Sequence, residues 1–163
     1  MNANQIALVQ SSFEDVRPIA EVAAELFYGR LFETDPMLKP LFKGDMANQG
    51  RMLMSVLSAA VKGLSDLDAL APVLRNLGAR HYGYGVQEEH YVTVGTTLLW
   101  TLSKGLGDKF TPEVRAAWTD AYGLIADVMQ FGALEAQRLQ RQQRDEERDQ
   151  ARHMGLTAEV VAS

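Results

Sequence analysis

Apolar residues recur every three to four positions through most of this chain, and no segment alternates apolar and polar residues as a half-buried strand does. The longest apolar stripes cover residues 6–16, 19–31, 53–64, 70–81, 91–102 and 114–129. Residues three or four apart share one face of an α-helix, so each stripe predicts a helix with one buried face. The residues expected on these buried faces include Ile19, Val22, Val56 and Val73. The chain is therefore predicted to be all-α.

Start and stop signals set the limits of these helices. Pro18 closes the first and can open the second, because the first turn of a helix leaves its N–H groups unbonded anyway. Asp35-Pro36 begins a short turn-like helix, and either Asp45 or Asn48 caps the third long helix. The run Thr-Pro-Glu at 111–113 combines a cap, a first-turn proline and an acid, which predicts the start of the last helix.

Length, charge and cysteine content exclude several classes of protein. The 163 residues suffice for one domain with its own core, and a net charge of −5 argues against binding nucleic acid. No cysteine is present, which excludes disulfides, thiol nucleophiles and thiolate metal sites and fits a reducing cytoplasm. The first residues do not resemble a signal peptide, and the apolar run 53–61 is too short to span a bilayer. We expect a cytoplasmic protein with no nucleic-acid or membrane partner.

The composition changes after about residue 133. The stretch EAQRLQRQQRDEERDQAR consists almost entirely of glutamine, arginine and acidic residues, and the apolar stripe stops there. We predict a globular domain over 1–133 and, over 134–163, a charged helical extension that frays into a loose end from Met154. An inert solvated tail is favoured over a signalling stalk.

Several kinds of catalytic site have no support. The three histidines, His81, His90 and His153, lack the spacing that places zinc ligands on one helical face. The acid pairs 88–89 and 146–147 are adjacent in sequence, so on a helix their side chains diverge by about 100°. Neither a G-x-S-x-G elbow nor a G-x-G-x-x-G dinucleotide motif occurs.

His81 is the residue that needs an explanation. It ends the apolar stripe 70–81, and the glycines of the GYG that follows break the helix just beyond it. A lone histidine on an apolar face is usually a hydrogen-bonded core residue, but at a helix end the ring can face a cavity. Tyr28 and Gln49 interrupt other apolar faces. Taken alone, they are read as a core tyrosine and an exposed first-turn residue.

Four blocks of the sequence, in order, carry a family resemblance. They are LFYGRLFETDPMLKPLF, RMLMSVLSAAVKGLSDLDAL, LGARHYGYGVQEEHYVTVG and AAWTDAYGLIADVM. From about residue 4 to 132 the chain resembles bacterial single-domain globins of the Vitreoscilla type and the globin module of flavohaemoglobins. The resemblance implies a globin fold around a b-type haem.

The same resemblance assigns residue roles. It implies that His81 is the proximal iron ligand and that Tyr28 and Gln49 form a polar pair on the distal face. The residues implied to contact the haem are Phe42, Leu53, Leu77, Val86, Tyr91 and Val94. A neutral imidazole is a good ligand for iron, and a phenol and an amide can both donate hydrogen bonds to bound O2. These donors should favour O2 over CO. The ferric sixth position could hold water or the Tyr28 phenolate.

One position departs from the flavohaemoglobin pattern. In that family a glutamate late in the last helix completes a proximal chain with the histidine and tyrosine, and Ala133 stands at that position here. Glu135 lies about 200° round an ideal helix from it and should not substitute. We therefore expect His81 to donate to the carbonyl oxygen of Leu77, one turn back, and the proximal electronic push to be weaker.

The remaining charged and titratable residues near these blocks have plainer interpretations. His90 is interpreted as a helix-start or surface residue, and His153 as solvent-exposed. Arg51, Lys43 and Arg80 are equally well explained as partners of haem propionates or as surface charges.

The resemblance implies binding of O2, CO and NO, with O2 delivery as the first hypothesis. Nitric oxide dioxygenase activity is a second, and since 163 residues leave no room for flavin and nicotinamide domains, it would require a separate reductase. The alternative is a globin-type gas sensor or regulatory interaction module. A monomer and a homodimer are both compatible with the stripes.

Overall fold

The computed structural model describes residues 1–155, and over this range the chain is helical without any strand. The helices are α1 (Ala3–Val16), α2 (Ala20–Thr34), α3 (Met46–Gly63), α4 (Leu67–Gly83), α5 (Glu88–Leu106) and α6 (Pro112–His153). Short 3-10 segments occupy Arg17–Ile19, Pro36–Leu41 and Gly107–Lys109. The all-α fold class is confirmed. Most of the loose end expected from Met154 falls after Gly155 and so lies outside the described residues.

The helices begin where side chains satisfy their free N–H groups. Asp45, rather than Asn48, caps α3, because its carboxylate accepts from the N–H of Ala47 at 3.1 Å. The Thr111 hydroxyl accepts from the N–H of Val114 at 3.2 Å and starts α6, as predicted. The short helix predicted at Asp35-Pro36 is present as a 3-10 segment that Asp35 caps.

The apolar core divides into two groups of side chains. The large cluster includes Val9, Phe13, Phe27, Tyr28, Leu31, Leu64, Leu102 and Trp118 and joins every helix except α4. Its centre is Trp118, which is 1% exposed and donates its indole N–H to the Ser12 hydroxyl at 2.8 Å. The small cluster consists of Leu70, Leu74, Tyr91, Ala126 and Met129 and joins α4 to α5 and α6.

Four residues predicted to be buried are exposed: Ile19, Val22, Val56 and Val73. For α2 the reason is the close approach of α3. A Cβ placed on Gly50 would lie 3.0 Å from the Cβ of Ala24, so the small Ala24 faces the neighbour and Val22 turns outward with 53% exposure. The same rotation buries Tyr28 on the inner face of α2.

Helices α4 and α6 touch backbone to backbone where two glycines meet. A Cβ on Gly78 would overlap the carbonyl oxygen of Met129, and a Cβ on Gly132 would overlap that of Arg75. A side chain at either glycine would therefore push the helices apart. This crossing positions α4, whose last turn carries His81.

Helix α6 runs for 42 residues and has no break at 133–134, where the composition changes. Residues 141–150 are all exposed. None of the helices within residues 1–155, α6 included, is both long and apolar enough to cross a bilayer.

The crossing predicts opposite effects of the same substitution at different glycines of the chain. Gly78→Ala and Gly132→Ala should each lower the free energy of unfolding by about 1–3 kcal/mol, because the added methyl group meets backbone. Gly123→Ala, also in α6 but with no atom within 4 Å of its Cβ position, should raise it by about 0.5–1 kcal/mol. Urea denaturation measures all three. Equal stability of Gly132→Ala and Gly123→Ala would contradict the crossing.

Candidate functional site

His81 lies half-buried in the last turn of α4, and one of its ring nitrogens makes a hydrogen bond to the backbone. Nδ1 is 2.8 Å from the carbonyl oxygen of Leu77, so the hydrogen bond expected one turn back is confirmed. A carbonyl only accepts, so Nδ1 carries the proton and the lone pair of Nε2 is left to bind a metal. Burial lowers the pKa of His81, the Leu77 bond opposes this, and the charge of Arg80 lowers it further. The ring is thus set up as a neutral ligand.

The chain turns sharply directly after His81. The N–H groups of Tyr84 and Val86 both donate to the carbonyl oxygen of His81, at 3.1 and 3.0 Å. Gly85 takes a φ of +93°, which glycine adopts without strain. The turn fixes the end of α4 and brings Val86 against the small cluster.

Tyr28 belongs to the large cluster and is surrounded by aromatic rings. Its ring centroid is 5.2 Å from that of Phe27, 5.3 Å from Phe42 and 5.9 Å from Phe32. Burial raises the pKa of Tyr28 to about 12, so the residue is a neutral phenol that can donate. This direction disfavours the phenolate considered for the ferric sixth position.

Gln49 lies close to Tyr28 but does not present its amide alongside the phenol. Tyr28 Oη donates to the backbone oxygen of Gln49 at 3.3 Å, and the Gln49 side chain donates instead to the carbonyl oxygen of Lys43 at 2.8 Å. The loop before α3 leaves that carbonyl available. Tyr28 and Gln49 are therefore neighbours, as the resemblance implied. Of their two donors, the Tyr28 hydroxyl makes the longer hydrogen bond and the Gln49 amide the shorter one.

The residues implied to contact a haem are divided between the two clusters. Phe42, Leu53 and Val94 pack against the large cluster, and Leu77, Val86 and Tyr91 belong to or pack against the small one. All except Tyr91 are partly buried. Both clusters therefore provide apolar side chains. His81 is on α4, the helix that contributes Leu70 and Leu74 to the small cluster.

Tyr91 carries the only buried side-chain polar atom without a hydrogen-bond partner among residues 1–155. The residue is 8% exposed, and burial raises the pKa of its hydroxyl. Glu135 is exposed and makes no bond to it, in agreement with the expected break in the proximal chain. The nearby Tyr122 instead donates to the backbone oxygen of Tyr91 at 2.5 Å. A buried hydroxyl without a partner fits a site built to meet a bound molecule.

The remaining candidates lie outside this centre. The ring of His90 accepts from the N–H of Gln87 at 2.9 Å, which confirms its helix-start role. His153 is exposed, as expected, and so are Arg51, Lys43 and Arg80, whose role as propionate partners stays a prediction.

Sequence reasoning missed some residues that shape the site. Phe32 stacks on Tyr28 one helical turn away, and this spacing of aromatic residues was a usable signal. Gly78 and Gly132 gave none, because their role depends on which helix crosses them.

Comparison with known proteins identifies relatives. The family model described as Globin matches residues 25–129. A flavohemoprotein of Bacillus subtilis is 32% identical over 75% of this chain and 31% of its own length. A flavohemoprotein of Vibrio cholerae is 31% identical over 86% of this chain and 37% of its own length. The chain thus spans about a third of the length of these relatives.

Solved structures agree with the fold. A bacterial globin from Campylobacter jejuni has a TM-score of 0.70 at 26% identity, with 85% of this chain and 98% of that chain covered. An engineered carbene transferase from Rhodothermus marinus, a candidate nitric oxide dioxygenase, has a TM-score of 0.77 at 24% identity, with 85% and 97% covered. A hexacoordinated heme protein from a tardigrade has a TM-score of 0.75 at 18% identity, with 82% and 95% covered.

The unpartnered hydroxyl makes a prediction about stability. In the haem-free chain, Tyr91→Phe should leave the free energy of unfolding unchanged or raise it by up to about 1 kcal/mol, because it removes a buried hydroxyl that bonds to nothing. Tyr122→Phe loses a real hydrogen bond and should lower it by about 1 kcal/mol. Guanidinium denaturation compares the two, and equal losses would mean that Tyr91 Oη has a partner.

Proposed function

The chain belongs to the globin family, and on this premise we propose that it holds a b-type haem and binds O2, CO and NO. The observation that carries the proposal is His81, whose Nδ1 is bonded to Leu77, so that its Nε2 would be available to bind the haem iron. When bound, the haem would supply an iron atom that binds a diatomic gas.

The residues present fit such a group. A haem has two apolar faces, and the site residues provide apolar side chains from both clusters. Leu77 and Val86 would support the face on the side of His81, and Phe42 and Leu53 the opposite one. A haem enclosed by these side chains would be shielded from water, which would strengthen any hydrogen bond made beside it.

Tyr28 is the proposed donor to a polar ligand. Its bond to the Gln49 backbone is 3.3 Å long, so little is lost when the hydroxyl turns to another acceptor. Gln49 has to give up a shorter bond to Lys43 before its amide can assist. Because CO accepts hydrogen bonds weakly, Tyr28 favours O2 over CO.

Oxygen delivery and nitric oxide detoxification are the physiological roles we propose. The second is favoured by the flavohemoprotein relatives and by the fold shared with the candidate nitric oxide dioxygenase of R. marinus. Each turnover would leave the iron oxidised, so a reductase outside these 163 residues would have to supply an electron. A cytoplasmic location gives access to such a partner. Rapid consumption of NO by the oxygenated protein, sustained only with a reductase, separates this role from delivery.

The axial ligand is tested by substitution. His81→Ala should abolish the five-coordinate ferrous spectrum of the haem-loaded protein, and added imidazole should restore it, since the small ring can occupy the space left. His153→Ala, an exposed histidine in the same chain, is the control and should match the wild type. A wild-type spectrum in His81→Ala would show that another residue binds the iron.

The distal donor is tested by ligand release. Tyr28→Phe should speed O2 dissociation about 10- to 100-fold, the loss of one hydrogen bond to a charged acceptor, and change CO dissociation little. Gln49→Leu should have a smaller effect, because its amide is held by Lys43. Stopped-flow displacement measures both rates. A larger effect at Gln49 than at Tyr28 would reverse this assignment.

A further inference from the structure

The polar extension of α6 is not free of the globular body along its whole length. Ala133, Ala136 and Gln137 are half-buried, and Gln140 is hydrogen-bonded to α4. These positions follow the spacing i, i+3, i+4 and i+7, so they form one face of the helix. Two of the four residues are alanines, which allow a close approach. Every residue from Arg138 to Gln150 is exposed, Gln140 included, and Ala151 is buried again.

One hydrogen bond lies at the C-terminal end of this face, at Gln140. Tyr82 Oη donates to the side-chain oxygen of Gln140 at 3.0 Å, across 58 positions of sequence. Tyr82 directly follows His81 in the last turn of α4. The bond therefore links the turn that carries the proposed iron ligand to the longest helix of the protein.

The backbone hydrogen bonds of the turn after His81 restrain the end of α4, but they are local and do not connect it to α6. Helix ends open more readily than helix centres, and glycines at 83 and 85 follow without side chains to pack. Gly78 holds the helix against α6 one turn earlier and so sets where α4 lies, but a glycine has no side chain that could restrain the last turn itself. Over the residues that the structure describes, the Tyr82–Gln140 bond is the side-chain hydrogen bond that connects this turn to α6.

We propose that Gln140 is a positioning residue for the iron ligand. Its side-chain oxygen holds Tyr82, and through Tyr82 it fixes the last turn of α4 and the orientation of the His81 ring. The inference rests on the proposed function, because it takes His81 as the iron ligand. It also moves the functional limit of the globular domain from residue 133 to about residue 140.

The first test uses the haem-free full-length chain. In Gln140→Leu the amide hydrogens at the end of α4 should exchange with solvent about three- to tenfold faster. The reason is that the loss of one hydrogen bond increases the fraction of molecules in which this turn is open. Gln140→Glu keeps an acceptor oxygen and should exchange like the wild type. Gln143→Leu, an exposed glutamine on the same helix, is the matched control. Unchanged exchange in Gln140→Leu would overturn the proposal.

The second test uses the haem-loaded ferrous protein. The iron–histidine stretching band in the resonance Raman spectrum should shift or broaden in the same way in Gln140→Leu and Tyr82→Phe, and stay unchanged in Gln143→Leu and Gln140→Glu. A purely structural bond would leave this band unaltered, and that result would overturn the positioning role. A wild-type chain that takes up no haem would overturn the proposed function, while the exchange comparison would still decide whether Gln140 fixes the end of α4.

Discussion

The contact of α4 with α6 through two glycines is the constraint on which the site depends. Without side chains at Gly78 and Gly132, the backbones approach directly, and α4 is held at a depth that no larger residue would permit. His81 lies three residues beyond Gly78, so its position follows from this crossing. The small cluster forms around the same contact. The α4–α6 crossing therefore determines where His81, the proposed iron ligand, lies.

Backbone carbonyl groups orient most of the polar side chains around this centre. His81 is held by Leu77, Tyr28 by Gln49, Gln49 by Lys43 and Tyr122 by Tyr91. Carbonyl oxygens carry no net charge and do not titrate, although the bond from Leu77 raises the pKa of His81 and so favours the protonated ring. Tyr91 is the exception, because its buried hydroxyl has no partner in the described part of the chain. The absence of a glutamate at 133 and the bond to Leu77 agree with a weak proximal push.

What could be predicted from the sequence was mostly local. The helical stripes gave the element order, and the bond from His81 to Leu77 follows from the i to i−4 geometry of any helix. The exposure of Val22 could not be predicted, because it depends on α3 approaching at Gly50. The direction of the Gln49 amide could not be predicted, because it depends on the carbonyl group of Lys43 in the preceding loop. Nor could the packing at the start of the extension, because Ala133 and Ala136 lie in a stretch whose other residues are mostly polar.

We propose that His81 is the one side chain that binds the iron and that the position for the gas ligand is open. The most direct measurement is the absorption spectrum of the wild-type haem-loaded protein, reduced with dithionite and then exposed to CO. We expect a five-coordinate high-spin ferrous spectrum that converts to a six-coordinate CO form within the mixing time. A ferrous form that is already six-coordinate and binds CO slowly would contradict it, because a second side chain would then occupy the position proposed for the ligand.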